Sequence, residues 1–150
     1  MSRTERLKPV VKLAGHKEKE SASALAKAQD KLLQAQKRLQ DIIDYRLNYS
    51  EMLQEKGKKS ISANELCRYQ SFFAQLDSAL IQQQNAVQQA EFSVQEHINS
   101  WTKSKRKHQM IGKISQQIQQ TEQIAKDKNE QKQMDDQASL QFFNKNKPKI

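Results

Sequence analysis

The sequence predicts an all-α protein: a long antiparallel two-helix coiled-coil hairpin with the second helix overhanging the first. Three observations carry that expectation. The 150 residues include only three glycines and two prolines, with no proline between residues 10 and 147, and these two residue types are the strongest helix breakers. Two stretches repeat apolar residues at alternating steps of three and four for four heptads or more, which marks a coiled coil rather than an ordinary amphipathic helix. Between them lies EKGKKSISANELCRYQSFFAQL, built to stop one helix and start another.

The first helix is expected over about residues 9–56. Its seam reads Leu25, Ala28, Leu32, Ala35, Leu39, Ile42, Tyr49 and Leu53, interrupted at Arg46. The turn falls at 57–62. Gly57 suits the left-handed backbone that ends a helix, and Lys56, Lys58 and Lys59 are favourable near its negative end. Ser62 and Glu65 have the spacing of a capping box, with Ile61 and Leu66 placed as a hydrophobic staple. So short a connection makes the helices antiparallel neighbours.

The second helix is expected over about 63–137. Its seam reads Tyr69, Phe73, Leu76, Leu80, Val87, Ala90, Val94 and Trp101, with Gln83 and His97 as polar interruptions. Folding about residue 59 sets Leu25 level with Val94 and Leu39 level with Leu80. The arms then pair over about 70 Å at the helical rise. In this frame helix one runs out near Pro9, level with His108. Ile111, Ile114, Ile118 and Ile124 extend an apolar stripe along the overhang, which Gly112 weakens by about 1 kcal/mol. The tail 138–150 loses periodicity and is expected to fray as part of this one hairpin domain.

Composition agrees with a narrow seam. Only 35% of residues are hydrophobic, too few for a broad globular core. Cys67 stands alone, and His16, His97 and His108 are scattered, so no triad or metal-ligand cluster forms. There is no nucleotide-binding loop. No enzyme activity, cofactor or metal is therefore expected. No apolar run suits a signal peptide or a membrane span, which points to a cytoplasmic protein. The formal charge is +9, and Lys103, Lys105, Arg106, Lys107 and Lys113 lie in an acid-free stretch between His97 and Thr121. Such a run is a solvated face or a contact for nucleic acid, anionic lipid or an acidic protein.

Near the turn, LQDIIDYRLNYSEML holds more apolar residues than one seam needs. If Leu39, Ile43 and Leu47 serve the seam, then Ile42, Tyr45 and Tyr49 form a second stripe. Across the turn, Tyr69, Phe73, Leu80 and Val87 can face the partner helix and leave Phe72, Leu76 and Ala79 beside them. Ile42, Tyr49 and Leu76 fit either frame. The surplus is either a wider core or a patch with aromatic anchors for a partner.

DIIDYRLNYSE, RYQSFFAQLDSALIQQQ, SWTKSKRK and DKNEQKQMDD, in that order and spacing, resemble the flagellar type III export protein FliJ family over nearly the whole chain. The resemblance implies a helical hairpin like the central-stalk rotor of the F-type ATP synthase. It further implies binding and activation of a hexameric export ATPase, contact with the cytoplasmic domain of the large export-gate membrane protein, and recycling of export chaperones. The gate surface carried over falls on Arg38, Ile42, Tyr45, Tyr49, Phe72, Leu76, Ala79 and Gln83. Relatives can carry Gln and His where this chain has Arg38 and Gln83. The ATPase contact would involve the terminal segments, with Lys103, Lys105, Arg106, Lys107, Ile111, Ile114 and Ile118 as its residues. The implied location is cytoplasmic and peripheral, at the inner-membrane export apparatus.

Two other readings fit the hairpin. A stalk protein of a related virulence-type secretion system would share the mechanism. A nucleic-acid-binding coiled coil would use the basic run, but that class places its basic helix ahead of a parallel zipper. Here the basic run follows the seam, and a capping box divides the chain.

Overall fold

An apolar stripe with heptad spacing is too narrow to bury on its own helix and needs a second stripe against it. The computed structural model, which describes residues 2–146, satisfies both stripes within one chain. Helix α1 spans Arg3–Gly57 and α2 spans Ala63–Lys145, packed against each other as a hairpin, with no strand among the described residues. Contacts divide the hairpin into two compact units, Lys19–Lys103, which contains the turn, and Met1–Glu18 with Ser104–Ile150.

In the unit containing the turn, the half-buried residues reproduce the expected seam. Leu25, Leu32, Ala35, Leu39, Ile42, Tyr49 and Leu53 line α1 around buried Ala28. Tyr69, Phe73, Leu76, Leu80, Gln83, Ala90, Val94, His97 and Trp101 line α2 around buried Val87. The side-chain amide of Gln83 donates to the Ala35 carbonyl at 2.9 Å, in the register that sets Leu39 level with Leu80. A polar group in an apolar seam costs stability but favours one register over its neighbours.

The turn departs from expectation chiefly in where the left-handed residue falls. No glycine has a positive φ, and Ser60, at φ 77°, takes the left-handed conformation instead of Gly57. Gly57 remains the last helical residue, because the Lys59 amide closes a tight turn onto the Lys56 carbonyl at 3.0 Å and carries the reversal farther along. Ser62 then starts α2, its hydroxyl accepting from the Glu65 amide at 3.2 Å. The return bond from the Glu65 carboxylate to the Ser62 amide is absent among the described residues. Leu66 of the expected staple is 44% exposed, beside half-buried Ile61.

In the other unit, α1 begins at Arg3, earlier than Pro9, and Pro9 lies inside it. An interior proline forgoes a backbone hydrogen bond and costs about 3 kcal/mol, so the first turn needs support. Two groups supply it. The Ser2 hydroxyl accepts from the Glu5 amide at 3.2 Å. The Glu122 carboxylate of α2 accepts from the Arg3 amide at 2.9 Å and from the Thr4 hydroxyl at 2.6 Å. Each satisfies amides that a helix start leaves unpaired. Leu7, Val11 and buried Ala14 on α1 continue the heptad steps, as do Ile111, Ser115 and Ile118 on α2.

The overhang is correspondingly shorter than expected, beginning after Glu122 rather than after His108. Ile111 and Ile118 are half-buried, while Ile114 and Ile124 are 44% and 57% exposed. From Gln123 onward every described residue is exposed, yet α2 stays helical to Lys145. Residues 138–145, within the tail expected to fray, are helical, in a stretch with no glycine or proline to break it. The rest of that tail, 147–150, lies outside the described residues.

Candidate functional site

Aromatic residues spaced at three and four on both helices converge near the turn. Tyr49 is the centre, with ring centroids 4.4 Å from Phe72, 5.6 Å from Tyr69, 5.8 Å from Phe73 and 6.1 Å from Tyr45. Tyr45 also meets Phe72 edge-on at 6.0 Å. Such tilted and edge-to-face pairs contribute about 0.5–1.5 kcal/mol each beyond their burial. The cluster therefore stiffens the turn end of the hairpin while part of it faces solvent. Tyr45 is 53% exposed, and Tyr49, Phe72 and Phe73 are half-buried.

The two frames left open by periodicity separate here. Ile43 and Leu47 are 40% and 57% exposed, whereas Ile42, Tyr49 and Leu76 lie on the half-buried seam. The eight residues carried over as a gate surface form an ordered pattern. Arg38, Tyr45, Phe72 and Ala79 each precede a seam residue, respectively Ile42, Tyr49, Leu76 and Gln83, by four positions. That spacing places the two members of each pair on one face of their helix. In an antiparallel pair these flanking positions meet on a single side, so the eight residues make one contiguous flank. Tyr45 stands beside Phe72, and Arg38 and Ala79 hold the next layer.

Two polar contacts brace this region. Arg46, the gap in the α1 seam, reaches the Asp77 carboxylate at 2.7 Å and lies 5.6 Å over the Phe73 ring. With side chains 44% and 51% exposed, the ion pair contributes at most about 1 kcal/mol. Lys56 donates to the Tyr69 hydroxyl at 2.9 Å, and that hydrogen bond raises the ammonium pKa above its ordinary value. Arg46 broke the heptad count and so was visible as an interruption. Its partner Asp77 carried no signal, because a cross-helix ion pair needs the register before it can be seen.

The residues expected to meet an ATPase fall along α2. Lys103 closes the unit containing the turn, and Lys105, Arg106 and Lys107 belong to the other unit. Lys103, Arg106 and Lys107 are exposed, and Lys105 is half-buried. In that second unit His108 pairs through Nδ1 with the Glu18 carboxylate, and its ring lies over Gly15. Sequence reading passed over Glu18 and Glu122 because single carboxylates have no periodicity. The capping-box spacing Ser2–Glu5 was the available signal for the early start of α1. No group of metal ligands occurs among the described residues, and no described helix is long and apolar enough to cross a membrane.

The family profile described as flagellar FliJ protein matches residues 2–147. The flagellar FliJ protein of Escherichia coli (strain K12) is similar, 26% identical over 124 residues that cover 83% of this chain and 84% of that protein. No solved structure matches.

Proposed function

The chain belongs to the flagellar FliJ family, whose members are flagellar export components, and on that premise we propose that it acts as a non-enzymatic stalk of the export apparatus. In this reading the hairpin binds and activates the hexameric export ATPase, docks on the cytoplasmic domain of the export gate and hands back emptied export chaperones. It works in the cytoplasm, held at the inner membrane through these partners.

The observation that carries the reading is the aromatic flank. Tyr45 and Phe72 project from different helices onto one side, 6.0 Å apart, with Tyr45 more than half exposed. Aromatic side chains offer large contact area at low conformational cost, and tyrosine is enriched among residues that dominate binding energy. The ATPase contact is assigned to the basic run and to Ile111, Ile114 and Ile118, through attraction of exposed Lys103, Arg106 and Lys107 to acidic loops.

Purification of the tagged protein from its own cells, with retained proteins identified by mass spectrometry, tests the reading. Recovery of a hexameric ATPase and of the gate's cytoplasmic domain is expected. Retention of nucleic acid alone, released by nuclease, would overturn it in favour of a basic coiled coil that binds nucleic acid.

A further inference from the structure

The flank that begins at Tyr45 and Phe72 continues away from the turn with a different chemistry. Three heptads farther along, Ala24 and Ser93 hold the positions that Tyr45 and Phe72 hold near the turn. Where the aromatic pair fills the side of the seam, the small pair leaves it open. A shallow groove of about 200 Å³ results, lined by Ala24, Lys27, Ala28, Lys31, Ser93 and His97. Ala28 at its floor is only 6% exposed, so a partner can approach the backbone closely there.

Charge is divided across this groove. On the α1 rim, Lys27 and Lys31 are exposed and neither pairs with a carboxylate among the described residues. Arg38 continues the same line one heptad nearer the turn, about 10.5 Å along the helix from Lys31. On the α2 side, the flanking positions from Phe72 to Ser93 carry no charge, and Asp77 and Glu91 sit on the opposite flank. His97 is held in place by its Nδ1, which donates to the Ser93 carbonyl at 2.6 Å. The groove thus has a small-residue floor and a cationic rim, and none of its six lining residues is acidic; Asp30 and Glu96 stand just outside it.

We propose that this groove is a docking site for an acidic amphipathic helix of a partner protein. The partner's apolar face lies over Ala24, Ala28 and Ser93, and carboxylates seven residues apart meet Lys31 and Arg38. Lys27 serves the same helix from the outer side of the rim. None of the six lining residues belongs to the Tyr45–Phe72 cluster, and Arg38 is the one residue the site shares with the flank carried over as the gate surface.

The test uses the full-length chain and two synthetic helices, each about three heptads long. Both carry leucine on one face, flanked every seventh residue by glutamate in one and by lysine in the other. At physiological salt, the glutamate helix is expected to shift the NMR resonances of Ala24, Ala28 and Ser93 and the lysine helix to leave them in place. Lys27→Glu with Lys31→Glu should keep wild-type helicity and weaken the glutamate helix at least tenfold. A glutamate helix that shifts only the 103–107 region, or that binds the double variant equally well, would overturn the proposal. So would resonance shifts with both helices alike, which would mark a non-selective apolar face. Concentration-dependent shifts of the same residues without any peptide would do so too, because they would assign the groove to a second copy of this chain.

Discussion

Glycine weakens a helix through backbone entropy, so the three glycines are where a single methyl group reports most directly on local structure. A Cβ at Gly112 or Gly57 would meet nothing within 4 Å, and both residues are helical with φ in the ordinary range. Gly112→Ala, inside α2, is therefore expected to stabilise the protein by about 0.5–1 kcal/mol, and Gly57→Ala, at the last position of α1, by less. At Gly15 the added Cβ would lie 3.2 Å from His108 Nε2. The ring would have to shift, and it also holds the Glu18 carboxylate. Gly15→Ala should accordingly gain less than Gly112→Ala. Thermal unfolding of the three variants, followed by circular dichroism, checks the order. A Gly15→Ala variant as stable as Gly112→Ala would mean that His108 is not packed over that position.

Among the elements, the seam from Leu25 to Leu53 and from Tyr69 to Trp101 was legible because heptad spacing is a local property of the sequence. The N-terminal arm of α1 was not. Pro9 reads as a boundary, and what carries the helix past it is a side chain more than a hundred residues away: Glu122 accepting from Arg3 and Thr4. The choice between Ile42 and Ile43 as seam residue was equally hidden. The two stripes differ by one position, and only the residues opposite them select one.

The latch at Glu122 has a consequence for acid stability. Its carboxyl pKa is lowered, chiefly by the hydrogen bond from the Thr4 hydroxyl, against an opposing effect of desolvation. A depressed carboxylate contributes stability above its ordinary pKa and loses it as pH falls through the depressed value. Glu122→Gln should therefore lower the thermal midpoint at pH 7, and the gap from wild type should close in acid below the ordinary carboxylate range. An equal gap at both pH values would show that the charge on Glu122 does not hold the arm.

For the whole molecule, the proposal assigns different partners to different residues. Tyr45, with Arg38 and Phe72, belongs to the unit containing the turn, while Arg106 and Lys107 belong to the other. Their effects should then be separable. Tyr45 is 53% exposed, so its truncation spares the seam, and exposed Arg106 and Lys107 contribute little to stability. The most direct test is a calorimetric titration of the export gate's cytoplasmic domain into wild type and Tyr45→Ala. It is read beside ATPase stimulation by the same samples and by the Arg106→Gln, Lys107→Gln variant. Tyr45→Ala is expected to keep its helicity and its ATPase stimulation while binding the gate domain at least tenfold more weakly, the loss typical of a dominant aromatic contact. The double variant is expected to do the reverse, with a gap from wild type that narrows as salt rises and screens the charge attraction. A folded Tyr45→Ala protein that binds the gate domain as tightly as wild type would contradict the account.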